Sequence, residues 1–343
     1  MAKWLEKTLG EVTAFIAKGI PPKYTEEENE NTIRVLNQKC NRNFEISYNE
    51  SRIHDCEKKK VPVDKMLRSG DVLINSTGTG TAGRVAQLVE VTVPTTIDGH
   101  MILMRPSEEL DPIYYGYAVK SFQSQIEGLA EGSTGQTEIN RRRLQDEVII
   151  RYPSDKLVQK NIGSFLANID EKIKTNKEIN KNLEQQAQAI FKSWFIDFEP
   201  FGNRKPSDWS VSTLGNVSIM GAGGDKPQSV SQIKTDLYEY PIYSNGLSNE
   251  GLYGFTDKPK IFEESVTVSA RGTIGFVCLR HIPYVPIVRL VTLIPKAEII
   301  SAKYLYLWLK QLHITGTGTT QQQLTVPDFQ KTEILVPSQE IVT

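Results

Sequence analysis

The chain has 343 residues, 39% hydrophobic and 24% charged, enough apolar material for cores and a length that suits two domains. Lys and Arg number 40 against 41 Asp and Glu, which excludes a global electrostatic grip on nucleic acid or an anionic membrane and leaves only local patches. Cys40, Cys56 and Cys278 are an odd number without C-x-x-C spacing, so neither a disulfide framework nor a zinc knuckle is suggested. No run of about 18 apolar residues offers a membrane span, and a cytoplasmic protein is expected.

In chain order, residues 71–75, 85–93 and 101–104 are short, turn-bounded apolar runs that predict strands joined by hairpins. Residues 114–120 read as an aromatic helix, and 148–153 as a closing strand that ends in Pro153. From Lys160 to Phe198 there is no proline, and Gly163 is the only glycine. Apolar residues there follow a heptad: Ile162, Leu166, Ile169 and Ile173, then Asn176 and Asn180, then Leu183, Ala187, Ile190 and Trp194. This predicts a long amphipathic helix with a coiled-coil seam, about 57 Å long at 1.5 Å per residue. The seam is symmetric about residue 178, so an antiparallel partner would match apolar with apolar and asparagine with asparagine. Beyond Glu199-Pro200-Phe201-Gly202, strands are expected at 266–269, 276–279 and 290–294, and a helix at 304–310.

The second set of elements repeats the first. Trp4 to Val12 matches Trp209 to Val217 at Trp, Thr, Leu, Gly and Val, and Gly80-Thr81-Ala82-Gly83 matches Gly272-Thr273-Ile274-Gly275. Thr134 to Asn140 aligns with Thr319 to Thr325, and both series end in a proline-capped apolar run followed by Ser. Co-linear matches of this kind predict two homologous α+β domains with mostly antiparallel sheets. The boundaries are 1–155 for the first domain, 156–200 for the helix and 201–343 for the second.

Gly78-Thr79-Gly80-Thr81-Ala82-Gly83 spells the G-x-G-x-x-G of a dinucleotide-binding turn. The second copy keeps only G-T-x-G and continues as strand, so the shared element is a glycine hairpin. Asp111-Pro112-Ile113-Tyr114 resembles the D-P-P-Y of amino-methyltransferases, but the second copy lacks it, and a capped helix start accounts for it. His54, His100, His281 and His313 stand at non-corresponding places without metal-ligand spacing. What recurs instead is glycine-rich loops bearing hydroxyls, amides and arginines, the groups that read base edges and hold phosphates. They nominate Ser76, Thr77, Thr79, Thr134, Gln136 and Arg141 in the first half. In the second they nominate Ser244, Asn245, Arg271, Thr273, Thr319 and Gln321.

On these residues the chain resembles, over essentially its whole length, the specificity subunits of type I restriction-modification enzymes. The resemblance rests on the opening W-x-x-x-x-L-G-E-V, the G-T-x-G hairpins and Tyr240-Pro241-Ile242-Tyr243-Ser244-Asn245-Gly246. It is densest along the helix from Ile169 to Leu183 and on through Phe191 to Phe198. It implies two target recognition domains that read a bipartite sequence in double-stranded DNA. It also implies a non-catalytic chain that binds no cofactor itself, with S-adenosylmethionine, ATP and Mg2+ belonging to partners. Those partners would be two methyltransferase subunits, docked on the helical region through the seam residues and Phe195, and ATP-dependent restriction subunits. The family has a second helix after the second domain; these residues stop at Pro337 to Thr343, so a complementary helix in trans or a second copy is expected to serve. The contrasting expectation is a two-domain scaffold that binds proteins and no DNA.

Overall fold

The computed structural model describes residues 3–132, 137–316 and 322–338. Contacts divide the chain inside the long helix, one unit ending at Asn176 and the other beginning at Lys177. The first unit is built on a four-stranded antiparallel sheet in the order Thr13–Lys18, Met101–Pro106, Val72–Asn75, Val85–Gln87. Its central strands are apolar at successive positions because both sheet faces are covered. Val72, Ile74, Ile102 and Met104 pack with Leu9, Tyr115 and Leu144 on one face. Leu73, Met101 and Leu103 pack with Leu36 and Ile97 on the other. A second sheet runs Thr95–Ile97, Thr32–Leu36, Arg52–Asp55, Tyr24–Thr25, and its first pair is parallel. The strand Trp4–Thr8 pairs antiparallel with Ile149–Pro153, Trp4 standing opposite Pro153.

The second unit repeats this order: Ser218–Ala222, Val291–Pro295, Ser265–Val268, Val277–Arg280, all antiparallel. Leu252–Thr256, Tyr240–Tyr243 and Val285–Pro286 form its smaller sheet, again with one parallel pair. Ser210–Thr213 closes on Glu333–Val336. One face of the main sheet carries Val266, Val268, Val291 and Leu293 into the core. The other is polar where the first unit is apolar. Arg280, only 4% exposed, donates from Nε to Thr267 Oγ1 at 3.0 Å and from Nη2 to the Glu250 carbonyl at 2.7 Å, and lies 3.6 Å over the Tyr243 ring. A buried guanidinium is tolerable only with this degree of pairing.

The glycine motifs are hairpin turns in both units. Gly78, Gly80 and Gly83 have φ of 114°, 70° and 87°, and Gly272 and Gly275 have 68° and 84°, which L side chains adopt only at a cost; a strand follows each turn. Asp111 caps the helix Pro112–Ser121, accepting from the Ile113 and Tyr114 amides at 3.0 Å. The strand expected over 85–93 is shorter. It stops at Gln87, Leu88 returns its amide to the Asp71 carbonyl, and Val89 is 84% exposed.

The long helix spans Lys156–Phe195, earlier at both ends than the periodicity predicts, and Phe198 leaves it with a left-handed φ of 56°. Each unit anchors its own part. In the first, Gln159 is buried and bonds Pro153 O, Glu109 O and the Asp111 amide, Gly163 lies against the Tyr114 backbone, and Asp170 accepts from Tyr117 Oη at 2.7 Å and pairs with Lys120. In the second, Glu184 accepts from Tyr306 Oη at 2.6 Å and faces Lys310. Burial first, then the adjacent carboxylate, pushes both phenols well above the usual tyrosine range. Phe191 and Phe195 pack on Tyr304 with centroids 5.2 and 5.1 Å away, and Phe195 stacks on Trp209 at 5.5 Å.

Two expected interface residues of the helix are therefore corrected. Ile162 packs on the core of the first unit and Phe195 on that of the second, because the docking stripe adjoins the heptad stripe on the same helix. The rest of the seam is uncovered. Ile169, Ile173, Asn176, Asn180, Leu183, Ile190 and Trp194 are exposed, and Leu166 and Ala187 half-buried.

Candidate nucleic-acid interface

Backbone hydrogen bonds put the two units in register residue by residue. The Ile139 amide donates to Ser76 O at 2.7 Å, and the Leu324 amide to Ala270 O at 3.0 Å. Ser76 thus corresponds to Ala270, Thr77 to Arg271, and Glu138 to Gln323. Gly19 donates to Met101 O and Gly223 to Leu290 O, which makes His100 the counterpart of Arg289. Lys18 pairs with Ile102 and Ala222 with Val291, so these two correspond as well. Four positions from four segments therefore meet at the same end of the main sheet in each unit.

In the first unit they form two contacts: an ion pair of Lys18 with Glu138, and a 2.8 Å hydrogen bond between Thr77 Oγ1 and His100 Nδ1. Thr77 Oγ1 also lies 3.3 Å from Gln38 Oε1. In the second unit Arg271 is exposed, and its Nη2 donates to Gln323 Oε1 at 2.8 Å. Arg271 also lines a groove of about 570 Å3 with Gly223, Gly224, Asp225, Lys226, Tyr253 and Arg289. Three cations against one carboxylate make this a positive patch on a nearly neutral chain, the local feature that the overall charge left open.

Strained backbone shapes the groove. Val288 and Arg289 have φ of 51° and 61°, unfavourable for a β-branched residue. They are held by donation from the Val288 amide to Gly224 O at 2.9 Å and from the Arg289 amide to Gly223 O at 2.8 Å. Asn245 completes the clamp: its Nδ2 donates to Val288 O and its Oδ1 accepts from the Ala270 amide, both at 2.7 Å.

That geometry corrects several expected contacts. Asn245 spends both ends of its amide on backbone and positions the groove instead of facing a ligand. Ser76 is fully buried beneath the hairpin, and its hydroxyl has no partner among the described residues. Thr273 is half-buried with an enclosed hydroxyl, and half-buried Ser244 has Oγ 3.5 Å from Gly251 O. Thr77, Thr79 and Arg271 do reach the surface at the turn, and Arg141 is exposed at the start of the helix Arg141–Glu147. Thr134, Gln136, Thr319 and Gln321 lie outside the described residues. Sequence reasoning missed Lys18, His100 and Glu138 in one unit and Lys226, Tyr253 and Arg289 in the other. The run Gly221-Ala222-Gly223-Gly224 before Asp225-Lys226 was a usable signal; the match of His100 with Arg289 was not, since nothing in the residue types suggests it.

No group of three or more His, Cys, Asp or Glu placed to hold a metal occurs among the described residues, and no described helix is long and apolar enough to cross a membrane. Two copies of one fold, with equivalent polar faces of different chemistry and one helix anchored in both, define a duplicated two-domain protein.

The chain belongs to the family described as the type I restriction modification DNA specificity domain, whose pattern matches residues 1–185 and 206–341. It is 25% identical over 268 residues to the specificity subunit of the type I restriction enzyme MjaIX of Methanocaldococcus jannaschii, covering 67% of this chain and 59% of that protein. It is 29% identical over 199 residues to a Mycoplasma pneumoniae chain named as a candidate type I specificity subunit, covering 57% and 53%. The chain thus spans between half and three-fifths of the length of these relatives. The crystal structure of the type I restriction-modification S subunit from M. genitalium shares its fold, with a TM-score of 0.56 at 18% identity over 97% of this chain and 84% of that one.

Proposed function

We propose that this chain is the DNA specificity subunit of a type I restriction-modification system. Each unit reads one part of a bipartite duplex target; adenine methylation and restriction are carried out by partner subunits. The observation that carries the reading is the recurrence of one sheet-end face in both units with its four side chains changed, from Lys18, Thr77, His100 and Glu138 to Ala222, Arg271, Arg289 and Gln323. A retained frame with altered donors and acceptors is what two different base sequences require. The uncovered heptad stripe on the helix supports docking of modification subunits or of a complementary helix in trans. S-adenosylmethionine, ATP and Mg2+ are assigned to those partners. The test is selection from a random duplex pool: two fixed blocks separated by an unread spacer are expected, with retention falling steeply as salt rises. Retention indifferent to salt and to sequence would overturn the reading in favour of a protein-binding scaffold.

A further inference from the structure

We infer that Arg271 reads a guanine in the half-site of the second unit, while Arg289 and Lys226 hold the adjoining phosphates. The inference rests on the DNA-recognition reading above and goes further by assigning roles to individual cations.

The three cations differ in how they are held. Arg271 sits at the tip of the hairpin after Ser265–Val268, beside Gly272, whose added Cβ would meet nothing within 4 Å; the tip is open enough for close approach. Its guanidinium is braced at one Nη by Gln323 Oε1 at 2.8 Å, and its remaining N–H donors have no partner among the described residues. A braced, planar donor fork is the geometry that matches O6 and N7 of guanine, the commonest specific contact in the major groove. Arg289 and Lys226 instead flank the groove on the left-handed turn and on the glycine-rich segment beyond Ala222. Neither side chain makes a hydrogen bond among the described residues. Unbraced cations beside a braced one suit the phosphate track, where position matters and base identity does not. The first unit has no arginine at the corresponding places: Thr77 and His100 satisfy each other, so its half-site is read by a different set of groups.

The experiment is selection and equilibrium binding with the full chain on a random duplex pool, comparing the parent with Arg271→Ala, Arg271→Gln, Arg289→Ala, Lys226→Ala and the exposed control Arg142→Ala. The parent should enrich a guanine in one of its two blocks. Arg271→Ala should lose at least about tenfold of the preference at that single position, and Arg271→Gln should move it toward adenine. Arg289→Ala and Lys226→Ala should weaken target and non-target duplexes alike and lower the salt slope by about one each. The control should match the parent. A parent that enriches two blocks while Arg271→Ala keeps the guanine preference overturns this inference alone. A parent that enriches nothing overturns the DNA-recognition reading and this inference with it. If Arg271→Ala lost its circular dichroism, the unchanged specificity of a folded Arg271→Gln would overturn the assignment equally well.

Discussion

Tyr114 and Tyr304 make the same bond in two copies of one fold. Tyr114 Oη donates to Arg151 O at 2.9 Å and Tyr304 Oη to Leu335 O at 2.8 Å, so in each unit a phenol fastens the aromatic helix to the closing strand, joined in the second unit by Trp308 Nε1, which donates to Glu333 O at 3.3 Å. Both rings are buried. Changing either tyrosine to phenylalanine strands a carbonyl and should lower the unfolding free energy by about 1 to 3 kcal/mol. Urea denaturation reads the shift; an unmoved midpoint for Tyr304→Phe would show that the bond contributes nothing.

Ser76→Ala should act in the opposite direction. The hydroxyl is buried without a partner among the described residues, and its counterpart in the second unit is already Ala270. Removing it should raise stability by about 1 kcal/mol and leave the selected DNA sequence unchanged. A relaxed base preference in this variant would return Ser76 to the reading surface.

Gly19 and Gly221 should behave differently toward alanine. A Cβ on Gly19 would come within 2.1 Å of Asp98 O and 2.2 Å of Ile97 O, whereas one on Gly221 meets nothing within 4 Å. Gly19→Ala should cost about 1 to 3 kcal/mol or more through backbone displacement and disturb the neighbouring His100, while Gly221→Ala stays within about 0.5 kcal/mol of the parent. Thermal melts of the two variants side by side decide the point.

The uncovered helix stripe gives the fourth prediction. Ile173 and Leu183 are 47% and 57% exposed, so the double variant Ile173→Ser, Leu183→Ser should unfold within about 0.5 kcal/mol of the parent. Capture of the modification subunit in a pull-down should fall sharply. Equal capture by parent and variant would separate the stripe from partner docking.

The duplication, three of the four main-sheet strands in each unit and the helix were legible because their signals are periodic or repeated; the edge strands Thr13–Lys18 and Ser218–Ala222 were not. The smaller sheets were not. Tyr24–Thr25 and Val285–Pro286 are two-residue strands, too short for any alternation to register. The candidate site was half legible for a related reason. Arg271 stands in a glycine-rich loop that sequence patterns expose, but Lys18, His100 and Arg289 enter from strand ends whose partners only the fold supplies. Asn245 misled because an amide in a polar loop looks the same whether it faces solvent or clamps two backbone groups. Trp194 and Phe195 are adjacent in sequence, yet one is exposed and the other packs on Trp209 and Tyr304; a heptad pattern cannot divide a helix between two apolar stripes.

In each unit the first strand lies antiparallel to the last, Trp4 opposite Pro153 and Ser210 opposite Val336. The polypeptide therefore enters and leaves a unit at one place, and the whole domain behaves as a loop inserted at a single point in the chain. Such an insertion can be cut out or exchanged for another with the same paired ends without re-laying the rest of the backbone, since neighbouring termini are what make domain insertion tolerable. Under the DNA-reading role proposed above, a gene built this way can acquire a new half of its target by recombination at two short stretches of code, those for the paired strands, while everything between them is free to diverge.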